Sequence, residues 1–207
     1  KKMISTRSSR VTPRMFEYSL VEKASQDKQH IVLAEGTGER ILNATDIILR
    51  RNIAEITLLG KEEEILNKAA TLNLNIEGVQ IIDPADSEHY DDFVETYFEL
   101  RKHKNIVRDV ARDRMSDSTY FGTMMVYKGL ADGMVSGSIT TTAQTIRPAF
   151  EFVKTKPGVS VVSSIFIMLL QSKVLAFGDC AVVPDPDAQQ LAEIALSSAE
   201  TAKIFDI

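Results

Sequence analysis

A chain of 207 residues, 44% apolar and 26% charged, can bury a sizeable core in one large or two small domains. Its formal net charge of −5 excludes the basic footprint of general nucleic-acid binding, and a single cysteine, Cys180, excludes an internal disulfide and fits a reducing compartment. The three histidines, His30, His89 and His103, lack metal-ligand spacing, and the longest apolar-leaning run, 159–170, is too short to span a bilayer. A cytoplasmic protein with no metal and no membrane segment is therefore expected.

Residues 1–12 read as a polar, basic tail without the apolar segment of a secretory signal. The chain starts at Lys1 rather than Met, so the native start is expected to lie upstream or to have been removed. A helix is predicted from Pro13, a residue favoured at the first helical position, carrying Met15, Phe16, Leu20 and Val21. Residues 31–34 form a short apolar strand signal. GTGER then turns into a helix with Ile41, Ala44, Ile48 and Leu49 at helical spacing. Residues 56–59 and 79–82 are further strand signals, separated by the helical run KEEEILNKAATL with acids in its first turn. Two or three helices are predicted over 88–126, with breaks near Asn105 and Asp117, before a short strand at Met134 and Val135. Alternating strands and helices argue for a layered α/β domain with a mainly parallel sheet.

Pro157 and Gly158 mark the strongest internal boundary. Beyond them, SVVSSIFIMLL and KVLAFGDCAVV, parted by Gln171 and Ser172, suggest a hairpin. PDPDAQQ predicts a helix start with Asp187 as N-cap and Gln190 three residues on, followed by an apolar face of Leu191, Ile194, Ala195, Ala202 and Phe205. The expected division is a tail over 1–12, a first α/β domain over 13–155 and the start of a second over 156–207. One hairpin and one helix cannot bury both faces of a sheet, so the second domain is expected to be incomplete at Ile207.

The chemistry concentrates after the 134–135 strand. Ser136, Ser138, Thr140, Thr141 and Thr142 fall within seven positions, with Gly137 among them, and Arg147, Lys154 and Lys156 follow. Glycine lets backbone approach a ligand, while hydroxyls and free amides at a helix start donate to an anion. Arg147 can grip two oxygens of one phosphate. The same cluster also suits a plain N-cap and turn. GTGER lacks the third glycine of a dinucleotide fingerprint, Ile41 standing in its place, and reads first as a turn. RKHK, Arg101 to Lys104, complements a helix C-terminus. Cys180 reads as a buried thiol, Met124 and Met125 as core, and Asp179 as either a structural or a cleft carboxylate.

The ordered segments TPRMFEY, IVLAEGTGERIL, ELRKHK, YFGTMMV, SGSITTTAQTIRPAF, KTKPGVSVVSS and FGDCAVVPDPDAQQLAEIALSSAETA closely resemble the phosphate acetyl/butyryl transferase family, over nearly everything from Thr12 to Ile207. The resemblance implies an isocitrate/isopropylmalate dehydrogenase-like subunit of two α/β domains, of which this chain looks like a piece truncated at both ends. It implies acyl transfer between coenzyme A and inorganic phosphate. Acetyl-CoA, coenzyme A, phosphate and acetyl phosphate are then substrates, no cofactor is tightly bound, and the protein is a homo-oligomer, a dimer. It carries Arg101, Ser136, Gly137, Ser138, Thr141, Thr142 and Arg147 as substrate-binding residues, with Ser163 and Ser164 completing the cleft from the second domain. It places the catalytic motif after Ile207, so the chain alone is expected to be inactive. The family's usual histidine at Thr140, aspartate at Gln144, asparagine at Val183, proline at Ala34 and glycine at Asn105 are absent. Two other readings stand beside this one. One is the acetyl-CoA- or acetyl-phosphate-binding regulatory half of a malic enzyme. The other is a non-catalytic phospho-ligand module.

Overall fold

Short runs of Ile, Val and Leu pair side by side in the computed structural model, which describes residues 12–207. After helix α1 (Pro13–Gln26) come β1 (His30–Leu33), α2 (Glu39–Arg51), β2 (Glu55–Leu59), α3 (Glu62–Thr71) and β3 (Gln80–Ile82). Helices α4 (Tyr90–Arg101), α5 (Arg108–Met115) and α6 (Ser118–Tyr127) follow, then β4 (Gly133–Val135) and α7 (Thr142–Pro148). The chain divides into two compact units, one of 23–154 and one of 155–207 with α1 through Glu22. The sequence places all of α1 with the first domain, whereas here the helix straddles the division.

In the 23–154 unit the strand order is β3-β2-β1-β4 and every pairing is parallel, with Val32 opposite Thr57 and Met134. Strand alternation sends side chains to two separate cores. Leu33, Ile56 and Leu58 pack with Ile41 and Leu42 of α2 and Ile65 and Ala69 of α3. Val32 and Leu59 pack on the other side with Phe93, Tyr97, Phe121 and Met124 of α4 and α6. This is the layered α/β domain that the β–α alternation predicts. The rings of Phe93 and Phe121 lie 4.8 Å apart and both are fully buried, each contributing about 1.5–3 kcal/mol. Met124 and Met125 are buried, as core residues should be.

The helix ends follow from local chemistry. Asp117 accepts the amides of Thr119 and Tyr120 at 2.9 and 3.1 Å and so starts α6. Asn105 closes the helical turn after α4 in the left-handed region, φ 60°, where a side-chain amide is tolerated. Two glycines permit close approach. A Cβ at Gly122 would lie 2.8 Å from Met134 Sδ and 3.2 Å from Val32 and Leu59 side-chain carbons, so glycine lets α6 sit close on the sheet. A Cβ at Gly36 would lie 2.5 Å from the Leu59 carbonyl oxygen, a backbone atom that cannot step aside. At the end of α7, Pro148 brings no N–H, and the backbone continues through a π-helical segment, Ala149–Val153.

In the other unit, β5 (Ile165–Leu169) and β6 (Val174–Gly178) form an antiparallel hairpin separate from the first sheet, with Phe166 opposite Phe177. Helix α8 (Ala188–Ile204) begins with the capping box that PDPDAQQ predicts, Asp187 accepting the Gln190 amide at 2.8 Å. Its apolar face departs from the expectation. Ile194 is buried and Phe205 meets Phe16 at 6.0 Å between ring centres, but Leu191, Ala195, Leu196 and Ile204 are exposed. The partly buried positions between them include Ser197, Ser198 and Thr201, so small polar residues occupy much of the inward stripe. Phe166 and Phe177 are 55% and 50% exposed, an apolar cross-strand pair facing solvent.

Candidate functional site

Strand order reverses between β1 and β4: the chain runs outward from β1 through β2 to β3, then returns to β1's other side. Ligands in open parallel sheets bind beyond the carboxyl ends of the strands at such a point. Here the two strands deliver Glu35 and the hydroxyl-rich turn. Glu35 Oε1 accepts the Ile139 and Thr140 amides at 2.8 and 2.7 Å and the Thr140 hydroxyl at 2.9 Å, and Oε2 accepts the Ser138 amide at 2.7 Å. Burial by itself would raise this carboxyl group's pKa; the amides of Thr140, Ile139 and Ser138 outweigh that and hold it below its ordinary value. The Ser138, Ile139 and Thr140 amides are therefore occupied within the chain.

Three of the five hydroxyls, those of Ser136, Thr140 and Thr141, are also bonded within the chain. Thr140 Oγ1 lies 3.2 Å from both Ser136 Oγ and Thr145 Oγ1. Thr141 caps α7, its hydroxyl 2.8 Å from Gln144 Oε1 and its amide donating to the same oxygen at 2.9 Å. Gly137 has φ 105°, a conformation only glycine takes without strain. Ser138 borders a hollow of about 720 Å³ with Gly38, Arg40 and Asn43, and Thr142 is exposed on the first turn of α7.

One turn further on, two of the arginines meet. Arg101, Ala143, Ile146, Arg147, Phe150 and Glu151 line an open groove of about 420 Å³. Arg101 is half-buried; it donates from Nη1 to the Glu151 carbonyl at 3.3 Å, and its buried Nε has no hydrogen-bond partner among the described residues. The Tyr97 hydroxyl donates to Glu151 Oε2 at 2.7 Å, which holds the carboxylate of this lining residue. Burial and then the Glu151 charge push the neighbouring Tyr120 hydroxyl up to about 12, so it stays protonated. Arg147 is exposed and has no hydrogen-bond or ion-pair partner among the described residues. Two guanidinium groups against the one Glu151 carboxylate leave the groove lining net positive within an acidic chain.

Ser163 and Ser164 belong to the other unit. Ser164 is tied up internally: its hydroxyl donates to Asp179 Oδ1 and accepts the Cys180 and Ala181 amides, both at 2.9 Å. Asp179 also accepts the amides of Ser164, Val182 and Val183 at 2.6, 3.0 and 2.5 Å. Of the two roles open to Asp179, the bonding is that of a structural carboxylate. Cys180 is half-buried rather than buried, its thiol donating to the Phe177 carbonyl at 3.0 Å. Burial would raise the Asp179 pKa, but the Ser164 hydroxyl and the converging amides hold it far below the ordinary Asp range. The sign follows: a depressed folded pKa contributes stability above about pH 4 that is lost as pH falls towards the folded value. Asp179→Asn is expected to lower the melting temperature at pH 7. The gap from the parent should narrow steadily as pH is lowered below about 4. Thermal melts of both chains across that range check it, and a gap independent of pH would count against the knot.

The fold and groove define a class: an α/β protein with paired arginines beside its topological switch point. Comparison with known proteins narrows it. The family model for phosphate acetyl/butaryl transferase matches residues 15–207, and the chain belongs to that family. It is 57% identical over 206 residues to a phosphate acetyltransferase of Nitratidesulfovibrio vulgaris, covering 100% of this chain and 29% of that protein. A second phosphate acetyltransferase, from Synechocystis, is 50% identical over 203 residues, covering 97% and 29%. Among solved structures, a phosphotransacetylase from Streptococcus pyogenes superposes with a TM-score of 0.88 at 42% identity, covering 94% of this chain and 59% of that one. The chain thus spans under a third of the length of those two relatives and somewhat over half of that solved chain. The Glu35 clasp was missed from the sequence. Its only signal was a carboxylate directly after an apolar strand.

Proposed function

We propose that this chain supplies the phosphate side of an acyltransferase that moves acetyl between coenzyme A and inorganic phosphate. The observation that carries the reading is the convergence of Arg101 and Arg147 on one groove in a member of this family. Thiolate attack on acetyl phosphate builds negative charge on the carbonyl oxygen, then expels phosphate as the thioester forms. Arg147, exposed and unpartnered, takes the phosphate oxygens and holds the acyl carbon for attack. Arg101, fixed by the Glu151 carbonyl, adds charge from the groove wall. Ser136, Ser138, Thr141 and Thr142 are assigned here to shaping the turn that carries α7, and Ser164 to the Asp179 knot.

On this reading coenzyme A and acetyl phosphate are substrates, no metal takes part, and the protein acts in the cytoplasm as a dimer. The single cysteine supports a reducing compartment, and no described helix is long and apolar enough to cross a membrane. The full-length protein should form acetyl-CoA from acetyl phosphate and coenzyme A, followed by thioester absorbance, and should ignore unrelated phosphate monoesters. Equal binding of all phosphate esters without thioester formation would favour a phospho-ligand module and overturn the assignment.

A further inference from the structure

Three consecutive amides, those of Ser138, Ile139 and Thr140, converge on one place, as amides do in backbone nests that hold phosphate. The position is already filled. Glu35 is only 8% exposed, and its carboxylate takes all three amides and the Thr140 hydroxyl. Its own carbonyl accepts the Gly38 amide at 2.8 Å, which fixes the backbone carrying it. An arriving phosphate would meet a buried negative charge with its donors occupied, so the turn repels it.

We propose that Glu35 is a positioning residue for phosphate. Its carboxylate is the resident anion of the switch-point turn, closes the turn to phosphate, and holds α7 so that Arg147 faces the groove it shares with Arg101. The proposal rests on the phosphate-side reading of that groove. The link from Glu35 to the groove is continuous. Thr140 Oγ1 donates to Glu35 and accepts the Thr145 hydroxyl at 3.2 Å, the Thr141 carbonyl at 3.2 Å being the other acceptor within that hydroxyl's reach. Thr145 sits on α7 between Ala143 and Ile146, two residues before Arg147, and those three neighbours all line the groove. A helix of only 7 residues has little internal rigidity, so its direction depends on its anchors, the Glu35-bound turn at its start and buried Pro148 and Phe152 at its end.

The test uses the full-length protein and Glu35→Gln, which keeps the side chain's shape but turns an amide donor towards backbone donors. Hydrogen exchange over 136–147 is expected to speed up while exchange over 31–33 and 55–59 stays unchanged. The KM for acetyl phosphate is expected to rise about tenfold, with kcat moving less than about threefold, short of the ~10²-fold that a full ångström of misplacement costs. Thr140→Val leaves Glu35 and its three amides in place and cuts only the hydroxyl link. It should give the same split at roughly a third of the size, and it serves as the test if the glutamine variant does not fold. Unchanged exchange over 136–147, or faster exchange with an unchanged KM, overturns the proposal. A parent protein that transfers no acetyl group defeats the functional reading instead. Titration with inorganic phosphate then decides for Glu35: about tenfold weaker binding by Glu35→Gln upholds the role, and equal or absent binding by both chains ends it.

Discussion

Arg147→Ala in the full-length protein is expected to cut kcat/KM for acetyl phosphate by about 10–100-fold, and Arg147→Lys by about tenfold, with little change in melting temperature. The magnitude comes from hydrogen bonds to a charged group, worth about 1.5–3 kcal/mol. Lysine keeps the charge but not the planar fork that grips two oxygens. Stability should hold because Arg147 is exposed and bonds to nothing in the described structure, so its loss leaves no buried group unpaired. Arg101 is the contrasting case. Its guanidinium is half-buried and bound to the Glu151 carbonyl, so truncation there mixes lost packing with lost charge. Steady-state kinetics with thermal melts separate the two. Unchanged kinetics in Arg147→Ala would reduce the residue to the helix position before Pro148.

The elements were legible because each announced itself locally. Strands 31–34, 56–59 and 79–82 fall within a residue of β1, β2 and β3, since short Ile- and Leu-rich runs closed by Gly60 or Asp83 leave few alternatives. Asp117, Asn105 and the Asp187–Gln190 pair marked helix ends for the same reason: caps are short-range chemistry. The face of α8 was less legible. Leu191 and Ala195 share helical spacing with Ile194, but periodicity cannot say what a helix packs against, and both lie in solvent.

The site was legible in composition and not in wiring. Arg101 and Arg147 are 46 positions apart, yet the fold puts them on one groove. The hydroxyl cluster announces a turn rich in donors and leaves open what accepts from them. What the sequence concealed is that Glu35, more than a hundred residues earlier, supplies the acceptor. That pairing exists only because β1 and β4 are neighbours in the sheet, a fact of topology that no local spacing encodes. Asp179 shows the same limit at shorter range. Its partner Ser164 is fifteen residues back, across the hairpin, and only the antiparallel register brings them together.

Expressed as these 207 residues alone, the polypeptide is expected to transfer acetyl at least about 10²–10⁴-fold more slowly than the full-length protein. A coenzyme A thiol has a pKa near that of a free thiol, about 8.5, so transfer at neutral pH needs a base with a free lone pair and a pKa near the working pH. Two of the carboxylates described above lack that combination. Glu35 accepts four hydrogen bonds and Asp179 is ringed by amides and the Ser164 hydroxyl, and both are held below their ordinary pKa. The same polypeptide should self-associate, because Phe166, Phe177, Leu196 and Ile204 all face solvent. The check is to confirm a mass of 23.0 kDa, then measure acetyl-CoA formation from acetyl phosphate and light scattering at rising concentration. Turnover matching the full-length protein, from a chain of that mass, would overturn the prediction.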